Sequence, residues 1–246
     1  MMLNKYSKFF DVLYEDNHLL VVNKRPGVLV QGDSTGDRPL VEIAKDYIKE
    51  KYNKPGAVFL GVVHRLDRPV SGIVVLARTS KALERMNKIF RDRKVQKVYW
   101  AITKKRPRQN QGKLINFLKK DPSRNVTTAY REELPGTQKA ELSFRVIGRL
   151  NDHYLLEVKP ITGRPHQIRV QLSSIGCPIR GDIKYGFSNP NKDASIHLHA
   201  RKLYFEHPVK KEPIEFIAPV PPNEFWEQFI NLDKTSTRDG KLDMLH

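Results

Sequence analysis

The 246 residues carry 44 Lys and Arg against 27 Asp and Glu, a net charge of +17, and 39% of them are hydrophobic. That hydrophobic content excludes a disordered chain and a membrane protein alike, and no apolar run approaches the ~20 residues that a transmembrane helix needs. So large a positive surplus repels itself in a compact fold. It points to a polyanionic partner, RNA or DNA before an anionic membrane, since no basic amphipathic helix with a broad apolar face is present.

The N-terminal stretch has no apolar h-region before charges intervene, so no secretory signal is read and the cytoplasm is the expected compartment. Residues 10–31 read as short strands and turns: "FDVLYED", a polar corner at Asn17-His18, then "LLVVNK" and "GVLVQ". Residues 39–51 read as a helix with Pro39 at its first position and Leu40, Ile43, Ala44, Tyr47 and Ile48 at helical spacing. "VFLGVV" (58–63) and "GIVVLA" (72–77) are apolar and β-branched, and both are expected as central strands. A second helix is expected from about Ser80 to Arg93, capped by Thr79 or Ser80, with Leu83, Met86 and Phe90 as its inner stripe.

"KVYWAIT" (97–103) returns to strand, and "KKRPRQNQG" (104–112) is a basic loop. "KLINFL", "NVTTAYRE", "AELSFRVIGRL" and "YLLEVKP" follow as strands. A helix is expected to begin near Thr162 to Pro165 and to stop near Gly176, with Pro178 beyond it. "IHLHARKLYF" and "IEFIAP" are late strands, "NEFWEQFI" is a short helix, and residues 232–246 form a polar tail. Cys177 is the single cysteine, so neither an internal disulfide nor a thiolate metal cluster can form. Strands outnumber helices, which predicts an α+β fold with a large mixed, mostly antiparallel sheet flanked by helices and loops.

Three segments carry candidate chemistry. In "HRLDRPVSG" (64–72) a single carboxylate, Asp67, stands between Arg65 and Arg68 where one strand ends and the next begins. Pro69 stiffens the loop, Gly72 permits close backbone approach, and the flanking arginines favour the ionised acid, which can serve as base or nucleophile. A structural ion pair is the plainer reading of that segment alone. In "TGRPHQIRVQL" (162–172) His166 and Arg169 are three apart and would share a helix face, and Arg169 could pair with Asp67 or with a phosphate. In "KVYWAI" the Tyr99 ring could present a face to a base, or be a core tyrosine.

These segments, in this order, resemble the RluA-type family of RNA pseudouridine synthases. "HRLDRPVSG" looks like the family's Asp loop, "KVYWAI" like its Lys-x-Tyr-x-Ala strand, and "TGRPHQIRVQL" like its Gly-Arg-x-His-Gln-Ile-Arg helix. "HLLVVNKRPGVLVQ" (18–31), "GDIKYG" (181–186) and "LHARKLYF" (198–205) extend the likeness over roughly residues 10–220. The resemblance implies a catalytic domain over residues 1–231 with a central active-site cleft, and isomerisation of uridine within ribosomal or transfer RNA to pseudouridine. It implies no cofactor and no metal; the absence of an apolar span gives no membrane, and a monomer is expected though the sequence is silent on oligomeric state. Asp67, Tyr99 and Arg169 would be catalytic: the essential acid, the ring that stacks on the base, and the partner that holds the acid. Arg65, Arg68, Arg164, His166, Gln167 and Leu198 would contact the substrate. Two departures stand out. Val70 replaces the usual Thr before Ser-Gly, and no N-terminal S4-like domain is expected, so the catalytic domain itself would grip the RNA, through "KKRPRQNQG" and Lys119 and Lys120.

Other classes fit less of the sequence. A non-catalytic RNA-binding or ribosome-assembly factor has no use for Asp67. A metal-dependent hydrolase could draw on His197 and His199, but no helical His-Glu-x-x-His is present. A nucleoside hydrolase would release the base that Tyr99 is expected to retain.

Overall fold

The computed structural model describes residues 5–33, 35–223 and 225–230; the expected tail at 232–246 lies outside them. The chain begins β1 (Phe10–Glu15), β2 (Leu19–Lys24), α1 (Leu40–Lys51), β3 (Gly61–Val62), β4 (Ser71–Ala77), α2 (Ser80–Arg91). It continues with β5 (Gln96–Thr103), β6 (Gln111–Asp121), β7 (Val126–Tyr130), β8 (Gln138–Leu150) and β9 (His153–Pro160). Then come α3 (Gln167–Ser174), a 3-10 turn (Ile183–Tyr185), β10 (Leu198–Glu206) and β11 (Pro213–Ile217). A last helix, α4, occupies 225–230 within the expected "NEFWEQFI" segment. The fold is α+β, with mixed, mostly antiparallel strand pairing.

The chain forms two compact units. The first comprises the chain up to Tyr99 together with Pro190–Pro219, and the second comprises Trp100–Asn189 and the chain from Val220.

In the first unit β1 and β2 form a hairpin whose corner is set by Asp16. Its Oδ1 accepts from the His18 and Leu19 amides, both at 2.8 Å, an Asx-type turn. β2 runs antiparallel to β4, Leu19 facing Ala77 and Lys24 facing Gly72. β10 runs parallel to β4, with His199 beside Ser71 and Ala200 beside Gly72. Every residue of β2 and β4 is buried. Strands covered on both faces read as unbroken apolar runs, which is how "LLVV" and "GIVVLA" appear in the sequence. Val21, Ile73, Val75, Met86, Leu203 and Phe205 centre this core, and each fully buried side chain of this size contributes roughly 1.5–3 kcal/mol. α2 closes it, capped by Thr79, whose Oγ1 accepts from the Ala82 amide at 3.1 Å.

In the second unit β8 pairs with β9 on one side and β6 on the other, and β6 pairs with β7, all antiparallel. Ala140, Leu142 and Phe144 of β8 point inward in strict alternation, the period-2 pattern of a half-buried sheet. Val170 of α3 packs with Leu118 and Ala140, while Trp226 and Phe229 join Ile102 and Leu155.

The structure corrects three expectations. "VFLGVV" is not a central strand: only Gly61–Val62 pairs, beside Ala77 and Leu76 of β4. Gly61 is pressed against α2, where an added Cβ would lie 2.5 Å from Leu83. "GVLVQ" is no strand either, because the Leu29 carbonyl accepts from the Leu40 amide at 2.6 Å at the head of α1. Finally, α3 starts at Gln167. His166 precedes it in left-handed backbone (φ 54°), so His166 and Arg169 do not share a helical face.

Candidate active site

Asp67 is half-buried in a four-residue turn closed by the Val70 amide donating to the Asp67 carbonyl at 3.0 Å. Leu66 and Val70, both buried, anchor the turn on either side of the acid. The carbonyl of Arg68 accepts from the Gly27 amide at 2.8 Å and from Lys24 Nζ at 3.2 Å. The carbonyl of Pro69 accepts from the Ile196 amide at 3.1 Å. The turn is therefore tied by its backbone to the end of β2 on one side and to the approach to β10 on the other.

Ser71 and Gly72 explain the close of the motif. Ala218 O, an obligate acceptor, lies 3.1 Å from His199 Nε2, so the proton of this imidazole sits there and Nδ1 accepts from Ser71 Oγ at 2.9 Å. Burial holds His199 neutral, with a pKa pushed down to about 3. Gly72 has φ 115°, and a Cβ there would lie 2.4 Å from the Ala200 carbonyl oxygen. Only glycine lets β4 approach β10 at this level. Leu198, buried, opens β10 beside this contact.

Lys24 is the residue the motif reading passed over. Its side chain has no exposed surface. Its ammonium donates to the carbonyls of Arg25 and Val28, each at 2.9 Å, as well as to Arg68. Three donors meet three acceptors. Burial lowers its pKa to about 7, and the negative charge of Asp67 pulls the other way. A lysine closing a strand buried at every position, two residues before Pro26-Gly27, is the available signal.

Burial, and then the charge of Asp67, raise the Tyr99 phenol well above its ordinary value, so it remains a neutral proton donor. Arg68 turns to Thr35 and Asp37, where Nη2 donates to Thr35 Oγ1 at 2.9 Å and to Asp37 Oδ2 at 2.5 Å. Arg65 is exposed. His64 is structural: its Nε2 accepts from the Val75 amide at 3.2 Å, its ring stacks on Phe90, and burial lowers its pKa to about 3.

The second unit organises Arg169. Its guanidinium donates from Nε to Asp182 Oδ2 at 2.7 Å and from Nη2 to Asp182 Oδ1 at 2.9 Å. Both side chains are buried, and Arg169 also lies over the Tyr185 ring, 5.0 Å from its centroid. Tyr185 Oη accepts from the Thr127 amide at 2.9 Å and meets His166 Nδ1 at 2.7 Å. "GDIKYG" thus supplies two partners of Arg169.

Gln167 is engaged within its own loop. Its Oε1 accepts from Thr162 Oγ1 at 2.7 Å and the Arg164 amide at 3.0 Å, while Nε2 donates to Glu141 O at 3.1 Å. This side-chain bracket holds 162–166 out of the helix and accounts for its late start. Arg164 Nε donates to Lys139 O at 3.2 Å. Among the described residues no group of His, Cys, Asp and Glu could hold a metal ion. His197 Nδ1 faces Asn191 and His199 faces Ser71, so the two histidines serve different partners. No helix of the described residues is long and apolar enough to cross a membrane.

Strands, Asp turn and arginine helix together define the class. Residues 18–174 match the family described as RNA pseudouridylate synthase, and the chain belongs to that family of isomerases. It is 35% identical over 227 residues to ribosomal large subunit pseudouridine synthase C of Vibrio vulnificus, covering 89% of this chain and 68% of the relative. The same-named protein of Vibrio cholerae is 32% identical over 217 residues, covering 85% and 65%. The chain thus spans about two thirds of the length of these relatives. A solved structure titled human RNA pseudouridylate synthase domain containing 4 superposes with a TM-score of 0.74 at 25% identity, covering 94% of each chain.

Proposed function

We propose that the protein isomerises uridine to pseudouridine within RNA, ribosomal RNA being the favoured substrate given the names its relatives carry. The observation that carries this reading is the Asp67 turn: one carboxylate, pinned by backbone on both sides, whose charge acts on a tyrosine kept neutral. The reaction breaks the bond from C1′ to the base nitrogen, turns the base, and rejoins it through carbon. Breaking that bond develops positive charge on the sugar, which a fixed carboxylate stabilises or traps.

A uridine in a stack must first be flipped out, at a cost of a few kcal/mol. Stacking on an aromatic ring recovers about 1–3 kcal/mol, the part assigned to Tyr99, with Leu198 as an apolar wall. Arg169, oriented by Asp182, supplies the cation that the family resemblance pairs with the carboxylate. Arg65, Arg68, Arg164, His166 and Gln167 belong to the two segments presented to RNA, Arg68 and Gln167 by shaping their loops.

The test is Asp67→Asn. Pseudouridine formation on large-subunit ribosomal RNA is expected to fall by at least about a thousandfold, the scale of losing a main electrostatic group of a reaction centre. RNA affinity and melting temperature are expected to hold. A variant that retains isomerisation would remove Asp67 from the mechanism, and free uracil among the products would replace isomerisation with hydrolysis.

A further inference from the structure

The reading as an RNA isomerase leaves open where the chain holds RNA away from the reacting nucleotide, and a groove in each unit offers a comparison. The groove of the first unit, about 660 Å³, is lined by four cations, Lys5, Lys8, Arg38 and Arg68. Three of these are already matched: Arg68 with Asp37, Arg38 with Asp46 and Lys5 with Glu50. The fourth, Lys8, lies over the Phe9 ring. Its charge is largely spent within the protein.

The groove of the second unit differs. It measures about 580 Å³ and lies between the loop at 107–109, the start of β6 and the C-terminal end of α3. Its charged lining residues are Arg108, Lys113 and Arg131, with no carboxylate among them. All three are exposed, and none of their side chains makes an ion pair or hydrogen bond among the described residues. The carboxylates that follow Arg131 in sequence, Glu132 and Glu133, do not line the groove. Pro107, Leu114, Phe144 and Ile175 add apolar side chains to the lining, and Gly112 adjoins the Phe144 ring, where an added Cβ would come within 3.3 Å of it.

We infer that this groove binds the sugar–phosphate backbone of RNA, with Arg108, Lys113 and Arg131 each meeting a phosphate and the apolar lining side chains meeting the riboses. Cations that no protein carboxylate neutralises, converging on one groove in a chain of net charge +17, are matched by a polyanion. The groove also adjoins the reaction machinery through α3. Ser174, at its wall, is five residues from Arg169, about 8 Å along the helix axis. A strand lying there would be held close to the arginine it has to reach. The inference rests on the RNA isomerase reading above.

The experiment compares the unaltered full chain with the triple variant Arg108→Gln/Lys113→Gln/Arg131→Gln, using a large-subunit ribosomal RNA transcript in filter binding across a salt series. A phosphate contact contributes about 0.7–0.9 to the slope of log affinity against log salt, so the slope is expected to shrink by about 2 to 3. Affinity at moderate salt falls at least tenfold, and KM for RNA rises while kcat at saturation holds. The melting temperature stays unchanged, and each single variant removes about a third of the slope. A control, Lys81→Gln/Lys88→Gln/Lys94→Gln, removes the same charge from exposed positions on and just beyond α2. An unchanged slope in the groove variant, or an equal loss in the control, overturns the groove. Failure of the isomerase reading is a separate result: no pseudouridine on the transcript from the unaltered protein.

Discussion

Asp67 in the first unit and Arg169 in the second are immobilised by different means. Around Asp67 the turn is fixed mostly through main-chain atoms: the carbonyls of Arg68 and Pro69, the amides of Gly27 and Ile196, and the bare Cα of Gly72 against Ala200, with the Lys24 ammonium added at the Arg68 carbonyl. Around Arg169 they are side chains: the Asp182 carboxylate, the Tyr185 ring, and through Tyr185 the imidazole of His166. A small acid on a tight turn is aimed by aiming the turn. A long flexible cation has several rotatable bonds, and only a planar two-point partner takes that freedom away.

The contrast can be broken at both ends. The largest effect is expected from Asp182→Asn. Removing one member of a buried ion pair takes from Arg169 the planar two-point partner that orients it, a loss of about 3–5 kcal/mol. Denaturant unfolding measures it, and pseudouridine formation should fall with it. A loss below about 1 kcal/mol would mean that Asp182 does not hold the arginine.

Next comes Gly72→Ala. Left-handed strain together with a Cβ driven into the Ala200 backbone should cost about 3 kcal/mol. Because the lesion is steric, added salt should not change it. If Gly72→Ala were as stable as the parent, the close approach of β4 to β10 would not be what sets the Asp turn.

The smallest effect is expected from Lys24→Met, about 1–3 kcal/mol at pH 7 from stranding carbonyls that the ammonium now satisfies. Its value lies in pH dependence. The folded pKa is about 7 and the ordinary value 10.5, so between these limits the unfolded chain binds more protons. Stability from this group therefore rises as pH climbs from about 7 towards 10.5, and is flat below 7, where both states are protonated. Unfolding curves of the parent should show that rise, and those of Lys24→Met should lack it. An equal rise in both would place the titration elsewhere.

Much of the site could be read along the chain because its signals are local. Pro69 and Gly72 frame the turn of Asp67, apolar runs mark β2 and β4, and Thr79 caps α2 where a cap was expected. The start of α3 was misplaced because the bracket that delays it comes from a side chain inside the segment, Gln167 reaching back to Thr162 and Arg164. "VFLGVV" misled for another reason. An apolar run says that a segment is covered, and α2 rather than a neighbouring strand does much of the covering at Gly61.

By itself the sequence determined the strand-rich class of the fold, and it pointed to the residues proposed to carry chemistry and to the sign of the proposed partner's charge. These depend on residue type, on periodicity of two or 3.6, and on net charge, all of which survive without coordinates. Only the tertiary structure decided what holds those residues. Lys24 meets Arg68 across 44 positions, Ser71 meets His199 across 128, and Asp182 was chosen for Arg169 from among 27 acidic residues. A hydrogen bond is settled by distances of about 3 Å, and spacing along a chain does not specify such distances between segments until the fold has brought them together.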